Sequence, residues 1–258
     1  MLTIGIRRDH YSSIGNTTNP RASLVYFPLP SSTLKLLYGE AYRAPNIYEM
    51  YYEDVATPQV ANLNLTAEKI RTYEIVLEQR FSAPLLGTFS IFNYDMNNLI
   101  DLTVDPSTSI QQFKNVNHIR SAGFESSFIY SLDSRWKGYM NYSFQFTKDV
   151  ATKLKLTNSP SHLVQGGIGF PVFKEISAAV ECRYESKRLT IYRTETDPYF
   201  PTNMNITVKT PSQHLRGSFQ IRNLFNISYA TPGGIDNEPV VVIPQDGRMY
   251  SVRLEYSL

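Results

Sequence analysis

No run of about 18 apolar residues occurs anywhere in the 258-residue chain, which removes a membrane-spanning helix from consideration. It does not remove a membrane, because a barrel alternates lipid-facing and lumen-facing residues that cancel in any window average. A single cysteine, Cys182, excludes an intrachain disulfide and a thiolate metal cluster. Neither charge sign dominates: 25 Lys and Arg against 23 Asp and Glu leave a net charge of +2, too near neutral to argue for nucleic acid. No stretch holds an i, i+3, i+4, i+7 apolar pattern with a cap at its start, so no helix is expected. The opening "MLTIGIRRDHY" lacks the basic start, apolar core and cleavage site of a secretory signal. GxSxG, P-loop and dinucleotide fingerprints are missing. The histidines His10, His118, His162 and His214 lie far apart, outside any metal-ligand spacing, and read as wall or loop side chains. Ser161-His162 is a thin pointer to a hydrolase, since nothing in the sequence places a third triad member. No metal, cofactor or catalytic residue is expected.

What the chain does have is tyrosine and phenylalanine, 18 and 14 residues against one tryptophan, and a mean hydropathy of −0.27. A ring with a wet tip suits a membrane headgroup layer. The end of the chain, "GRMYSVRLEYSL", shows the dominant pattern: Tyr250, Val252, Leu254, Tyr256 and Leu258 alternate with Ser251, Arg253, Glu255 and Ser257. That is a strand with one greasy and one wet face. Alternation broken by Pro, Gly, Asn and Asp clusters marks about twelve segments, near 1–11, 20–28, 33–44, 66–81, 86–104, 110–132, 136–150, 160–172, 176–192, 208–223, 227–232 and 246–258. The segments 86–104 and 110–132 exceed the 9–11 residues or so that span a bilayer. Tight links such as "PLPSS", "SAPL", "DSR", "PVFKE" and "NLFN" alternate with longer ones, including 45–65, 151–159 and 193–207. Short turns at one rim and long loops at the other characterise an outer-membrane barrel.

The faces agree. Met140, Tyr142, Phe144 and Phe146 oppose Asn141, Ser143, Gln145 and Thr147, and Val180, Cys182 and Tyr184 oppose Glu181, Arg183 and Glu185. Leu215, Gly217, Phe219 and Ile221 oppose Arg216, Ser218, Gln220 and Arg222. Charges of both signs crowd the polar face, which suits a wide hydrated lumen or a polar plug. The fold class expected is all-β, an antiparallel transmembrane meander of about twelve strands, with Glu181, Arg183, Arg216 and Arg222 on the concave side.

Five stretches, in order, resemble one family. "LKLLYGEAYRAPNIYEMYY" is similar to a strand ending in an Arg-Ala-Pro corner followed by Glu, here Arg43, Ala44, Pro45 and Glu49. "ANLNLTAEKIRTYEIVLEQ" matches at Asn62, Leu65, Glu68 and Glu74, with Ala61, Leu63 and Ala67 standing where the pattern usually has Gly, Pro and Pro. "FKNVNHIRSAGFE" supplies Asn115, Gly123 and Glu125, "RNLFNISY" has Asn226 for the usual Asp, and Gly247-Arg248 opens the terminal strand, which ends on Leu258 rather than Phe. Together they resemble the C-terminal half of a TonB-dependent outer-membrane receptor. The resemblance implies a barrel of about 22 strands, so residues 1–258 are expected to be its C-terminal portion, without the N-terminal plug domain or the energy-coupling box. It implies uptake of a scarce ligand, most often a ferric siderophore, across a Gram-negative outer membrane, driven by the inner-membrane TonB complex through the plug. It also implies that the terminal strand is read by the barrel-assembly machinery.

For ligand contacts the candidates are Tyr48, Tyr51, Tyr52, Glu53 and Asp54 in the loop 45–65, with Arg43, Arg188 and Arg193 as cations for an anionic chelate. The bland alternative for the tyrosines is an aromatic girdle. The loops 45–65 and 193–207 are expected at one rim, opposite Asp133 and Asn223. The last strand is expected to have 227–232 and its extension on one side and an open edge on the other, with 1–11 as the second open edge. Competing readings are a passive channel or structural barrel that closes by itself and, further off, an outer-membrane hydrolase.

Overall fold

Alternation is converted into strands almost throughout. The computed structural model describes residues 1–133, 135–210, 214–234 and 239–256. The strands are β1 (Leu2–Tyr11), β2 (Gly15–Leu29), β3 (Ser32–Arg43), β4 (Glu68–Ser82), β5 (Leu85–Val104), β6 (Gln111–Ser131) and β7 (Lys137–Asp149). They continue with β8 (His162–Pro171), β9 (Ile176–Glu185), β10 (Thr202–Lys209), β11 (Leu215–Arg222), β12 (Ala230–Pro232), β13 (Val242–Pro244) and β14 (Met249–Tyr256). Twelve of these make one sheet in the order β1 to β11 and then β14, and β12 pairs only with β13. Every ladder in the sheet is antiparallel, and β1 and β14 are its two edges. The expected closure-free meander is therefore observed.

The register joins like residues into rows that cross the sheet. Leu24, Leu36, Ile75 and Ile91 are successive cross-strand partners, and all four are exposed. Phe170, Ala178, Ile206, Phe219 and Val252 form another such row. On the other face Thr33, Glu78, Thr88, Ser127, Asn141, Gln165 and Arg183 follow one another from β3 to β9. A single-residue slip would have exchanged these faces. Val180, Phe219 and Tyr142 lie on the apolar face, and Glu181, Arg183, Arg216 and Arg222 on the polar one, as the alternation requires.

No conventional apolar core forms. Buried apolar residues are few, among them Met50, Leu65, Phe92 and Ile119, while Ile4, Val252 and Leu254 stand more than 70% exposed. A soluble domain seldom leaves an apolar surface of this extent uncovered; lipid would cover it. The strands β5 and β6 run to 20 and 21 residues, about 65 Å at ~3.3 Å per residue, roughly twice the hydrocarbon thickness. Two glycines admit rings that lie flat on the polar face. A Cβ on Gly123 would sit 2.2 Å from the Phe144 carbonyl oxygen and 2.5 Å from the Phe92 ring, which stacks on Tyr94. One on Gly167 would meet the Tyr139 ring at 2.7 Å.

Five expectations need correction. A short helix, α1 (Ile47–Tyr51), follows β3, with a capping box in which Asn46 and Glu49 each satisfy the other's backbone N–H. Its single turn is too short to show helical periodicity. The segment 208–223 holds only the last two residues of β10 together with β11, most of β10 falling within the expected loop 193–207, and β9 stops at Glu185 rather than at 192. The last strand pairs with β11, not with the segment 227–232, whose residues Ala230–Pro232 bond to Val242–Pro244 in a separate ladder. Asn223 follows β11 at the same end of the sheet as the start of β10, where Leu224 N–H donates to the Thr202 carbonyl at 2.7 Å. It therefore shares the rim of the long loops, while Asp133, between β6 and β7, lies at the opposite rim. Ser257 and Leu258 lie outside the described residues.

Candidate functional site

Strand alternation sorts the connections. The links 30–31, 83–84, 132–136, 172–175 and 210–214 share one rim. The links 12–14, 44–67, 105–110, 150–161, 186–201 and 223–248 share the other, and they include every long one. The loops 45–65 and 193–207 thus meet at a common rim, although 202–207 belongs to β10.

Arg43 ends β3 and grips two carboxylates. Its Nη1 donates to both oxygens of Glu49 at 2.9 Å, and its Nε and Nη2 donate to Glu68 at 2.6 and 2.7 Å. Glu68 also accepts from the Ile100 N–H at 2.8 Å, which ties β3, α1, β4 and β5 together. The guanidinium fork is fully engaged by two acids, so Arg43 anchors the loop and its charge is already answered.

The loop then crosses the β5–β6 hairpin. Gln111 N–H donates to the Pro58 carbonyl at 2.8 Å, Val60 N–H donates to the Gln111 carbonyl at 3.0 Å, and Asn62 Nδ2 donates to the Phe113 carbonyl at 2.7 Å. Gln112, between them, accepts from Thr103 of β5. The Gln112 side chain also reaches the loop, its Nε2 donating to the Ala61 carbonyl at 2.9 Å, so residues 58–62 cover the β6 edge that β7 is too short to reach. Met50 and Leu65 are buried beneath. At the surface Tyr48 lies against Tyr52 with centroids 4.4 Å apart and edge-on to Phe113 at 5.8 Å. Tyr51 is 55% exposed, and Glu53 is exposed. Asp54 closes a small turn by accepting from the Thr57 hydroxyl and the Ala56 N–H, which hold its carboxyl below the usual range.

A second cluster joins the links 150–161 and 186–201. Glu185 is completely buried; Arg183 donates to it at 2.8 Å and Arg188 pairs with its other oxygen. Arg188 also donates to Asn158 Oδ1 at 2.8 Å and to the Tyr199 hydroxyl at 3.0 Å. Arg193, at φ 64°, donates to the Lys155 carbonyl at 2.5 Å. Of the three candidate cations, Arg43 and Arg188 are committed to carboxylates and Arg193 is half-engaged. Gln59 has no mark in the sequence, and the sequence names Asn62 and Asn115 as motif residues and Glu185 as a polar-face acid without disclosing that they shape the rim; the Asn-x-x-Glu spacing of Asn46 and Glu49 is the signal of the helix. Ser161 Oγ accepts from Lys155 and the His162 ring meets the Tyr142 hydroxyl at 3.0 Å, so these two side chains do not address each other.

The family model described as "TonB dependent receptor-like, beta-barrel" matches residues 1–224. The chain belongs to the TonB-dependent receptor β-barrel family. This is a family of Gram-negative outer-membrane β-barrels. Among curated relatives, the vitamin B12 transporter of Vibrio cholerae is 28% identical over 131 residues, covering 50% of this chain and 20% of that protein. The ferric enterobactin receptor of Pseudomonas aeruginosa is 22% identical over 215 residues, covering 73% of this chain and 29% of that one. The chain thus spans less than a third of the length of these relatives. In fold it is similar to a variant of the ferric enterobactin receptor from Pseudomonas aeruginosa in complex with enterobactin, with a TM-score of 0.82 at 20% identity over 99% of this chain and 43% of that one. The siderophore receptor PirA from Acinetobacter baumannii gives 0.81 at 17% identity over 100% and 43%. A twelve-strand open sheet thus superimposes on under half of each receptor chain.

Proposed function

We propose that residues 1–258 form the C-terminal portion of a receptor barrel that takes up a scarce ligand across the Gram-negative outer membrane, a ferric siderophore first among them. The observation that carries this reading is the family match over an open sheet whose long links all gather at one rim. The apolar rows face membrane lipid and the polar rows the lumen. Tyr48, Tyr51, Tyr52 and Glu53 contact ligand from the long-loop rim, on a platform built by Arg43 and Asp54, with Arg188 and Arg193 setting the second loop pair beside it. Aromatic rings with hydroxyl tips suit a flat aromatic chelate because they order few torsions on binding. Energy comes from the inner-membrane TonB complex through a plug outside these residues. The terminal strand (Tyr250, Val252, Leu254, Tyr256 and Leu258) addresses the barrel-assembly machinery, and its outer edge pairs with a strand beyond this chain, as does that of β1, since an unpaired edge in lipid is costly. The self-closing channel is disfavoured because no ladder joins β1 to β14 among the described residues.

The test uses the complete gene in a Gram-negative strain deprived of its own catecholate and vitamin B12 receptors. Radiolabelled ferric enterobactin should enter only when TonB is present, and the Tyr51→Ala/Tyr52→Ala pair should lower that uptake at unchanged barrel yield. Vitamin B12 entry in its place, or ferric enterobactin entry indifferent to TonB, would refute the siderophore reading. Undiminished affinity in the double variant would reduce the tyrosines to girdle residues.

A further inference from the structure

The face that carries the apolar rows is not apolar from rim to rim. On β4 it exposes Phe81, Leu77, Ile75 and Tyr73, about 26 Å along the strand at ~3.3 Å per residue and ~20 Å in height at a tilt of about 40°. That is close to the ~25 Å apolar band of an outer-membrane barrel. Arg71 and Lys69 continue the same face towards the long-loop rim, just past the band. Across the ladders Arg71 belongs to a row of Glu40, Arg71, Asp95, Arg120 and Lys148, from β3 to β7. Among the described residues, no Lys, Arg, Asp or Glu occupies this face on β8 to β11 or on β14. Within the patch the charges do not cancel. Arg71 meets Glu40 at 3.0 Å and Arg120 meets Asp95 at 2.8 Å, which leaves Lys69 and Lys148 with no ion pair among the described residues. Lys148 stands directly opposite Arg120 in the ladder, with its Nζ 5.8 Å from the centre of the Phe146 ring. Like charges placed opposite each other destabilise a sheet unless an anion joins them. On the short-turn side of the row a groove of about 610 Å³ lies between Leu24, Leu36, Tyr38, Tyr73, Ile75 and Ile91. Ala22 and Ala122, on the same rung as Tyr38 and Tyr73, form its two sides.

We infer that β2 to β7 form a binding site for one lipid of the outer leaflet that bears two phosphate groups, one held by Arg120 and Lys148, the other by Arg71 and Lys69, with its acyl chains in the groove. The inference rests on reading the apolar rows as facing lipid and the long-loop rim as the outer one. Three strand spacings separate Lys69 from Lys148, roughly 14 Å across the sheet at ~4.8 Å per strand. A lipid with one phosphate answers one end of the row and leaves the other end cationic. Free phosphate answers the charges but makes no use of the groove. Arg holds a phosphate through paired N–H groups and Lys holds it as a point charge. The groove crosses β2 to β6, roughly 19 Å at ~4.8 Å per strand, so it takes several chains side by side and removes them from contact with water.

The complete receptor, purified in a nonionic detergent, is the material for the test, with hexa-acyl diphosphoryl lipid A as the probe and native mass spectrometry as the readout. One lipid should be retained per receptor. Monophosphoryl lipid A should bind about tenfold more weakly, and the Lys69→Gln/Lys148→Gln pair should lose about tenfold for the diphosphoryl form at unchanged barrel yield. Equal retention of the two forms, equal retention of zwitterionic phosphatidylethanolamine, displacement by excess inorganic phosphate, or a double variant that binds as well as its parent would each overturn the proposal. The underlying assignment of faces is checked apart from it: in whole membranes a water-soluble maleimide should label Glu74→Cys and spare Ile75→Cys, and the reverse result would condemn the reading of the lipid face instead.

Discussion

The two rims of the sheet solve the same problem, how to join adjacent strands, in opposite ways. At the short-turn rim the chain reverses on local signals: Asp133 accepts from the backbone N–H groups of Arg135 and Trp136 at 2.7 Å, and little else is required. At the long-loop rim the links 44–67, 150–161 and 186–201 are held from outside, by Arg43 on Glu49 and Glu68, by β6 on residues 58–62, and by Glu185 and Arg188 between the loop pair. Local turns need only the right residues in sequence. Long loops need partners brought in by the fold, so their order depends on a few distant side chains.

That contrast predicts where substitution does damage. The largest effect belongs to Arg188→Ala, which strips a completely buried Glu185 of one of its two cations; breaking a buried pair costs about 3 kcal/mol or more. Hydrogen exchange should rise across 150–161 and 186–201 together and leave β1–β6 unaffected; a rise confined to one loop would separate what the structure joins. Next comes Arg43→Ala, about 2 kcal/mol for lost charge-assisted hydrogen bonds, read as protease sensitivity of 44–67. Arg43→Lys should rescue little, because an ammonium cannot make two bidentate contacts. Asp133→Ala should alter neither assembly nor uptake measurably, and a collapse of barrel yield would erase the proposed asymmetry between rims.

The smallest measurable effect is a pH dependence at the tip of the β5–β6 hairpin. Asp105 accepts from the Ser107 hydroxyl, the Ser107 N–H and the Thr108 N–H, which hold its carboxyl at about 2 against an ordinary 3.8. Because the folded value is depressed, this contribution is complete above pH 3.8 and fades as the pH falls through about 2. Amide exchange in 105–110 should therefore be independent of pH-driven opening down to about pH 4 and increase below it, and Asp105→Asn should remove the step.

How far the sequence disclosed all this follows from the range of each interaction. Face assignment was legible because alternation is local, and Leu254, between Arg253 and Glu255, or Phe219, between Ser218 and Gln220, declares its side by its immediate neighbours. Met204, Ile206 and Val208 alternate with Asn203, Asn205 and Thr207, but assigning 193–207 to a long loop and starting the next strand at 208 leaves β10 unread and hides one turn. Losing one turn reverses the parity of everything after it, which is why Asn223 was expected at the wrong rim. The family motif placed Arg43 and Glu49 at a corner, yet not Glu68 beside them, since that contact follows only from the register of β3 on β4. Glu185 looked like any lumen-facing acid of an alternating strand, because burial by a loop two elements away leaves no local mark.

The Tyr139 ring resting on Gly167 carries a consequence for descent. Neither residue is held by a backbone demand, since the atoms that a Cβ at 167 would strike belong to the side chains of Tyr139 and Glu181. A lineage can therefore trade the glycine for alanine only after, or together with, a smaller residue at 139, and the two positions should drift as a pair across related genes. At Gly123 the nearest obstacle is the main chain of Phe144, so no partner can compensate and that position should stay glycine on its own account.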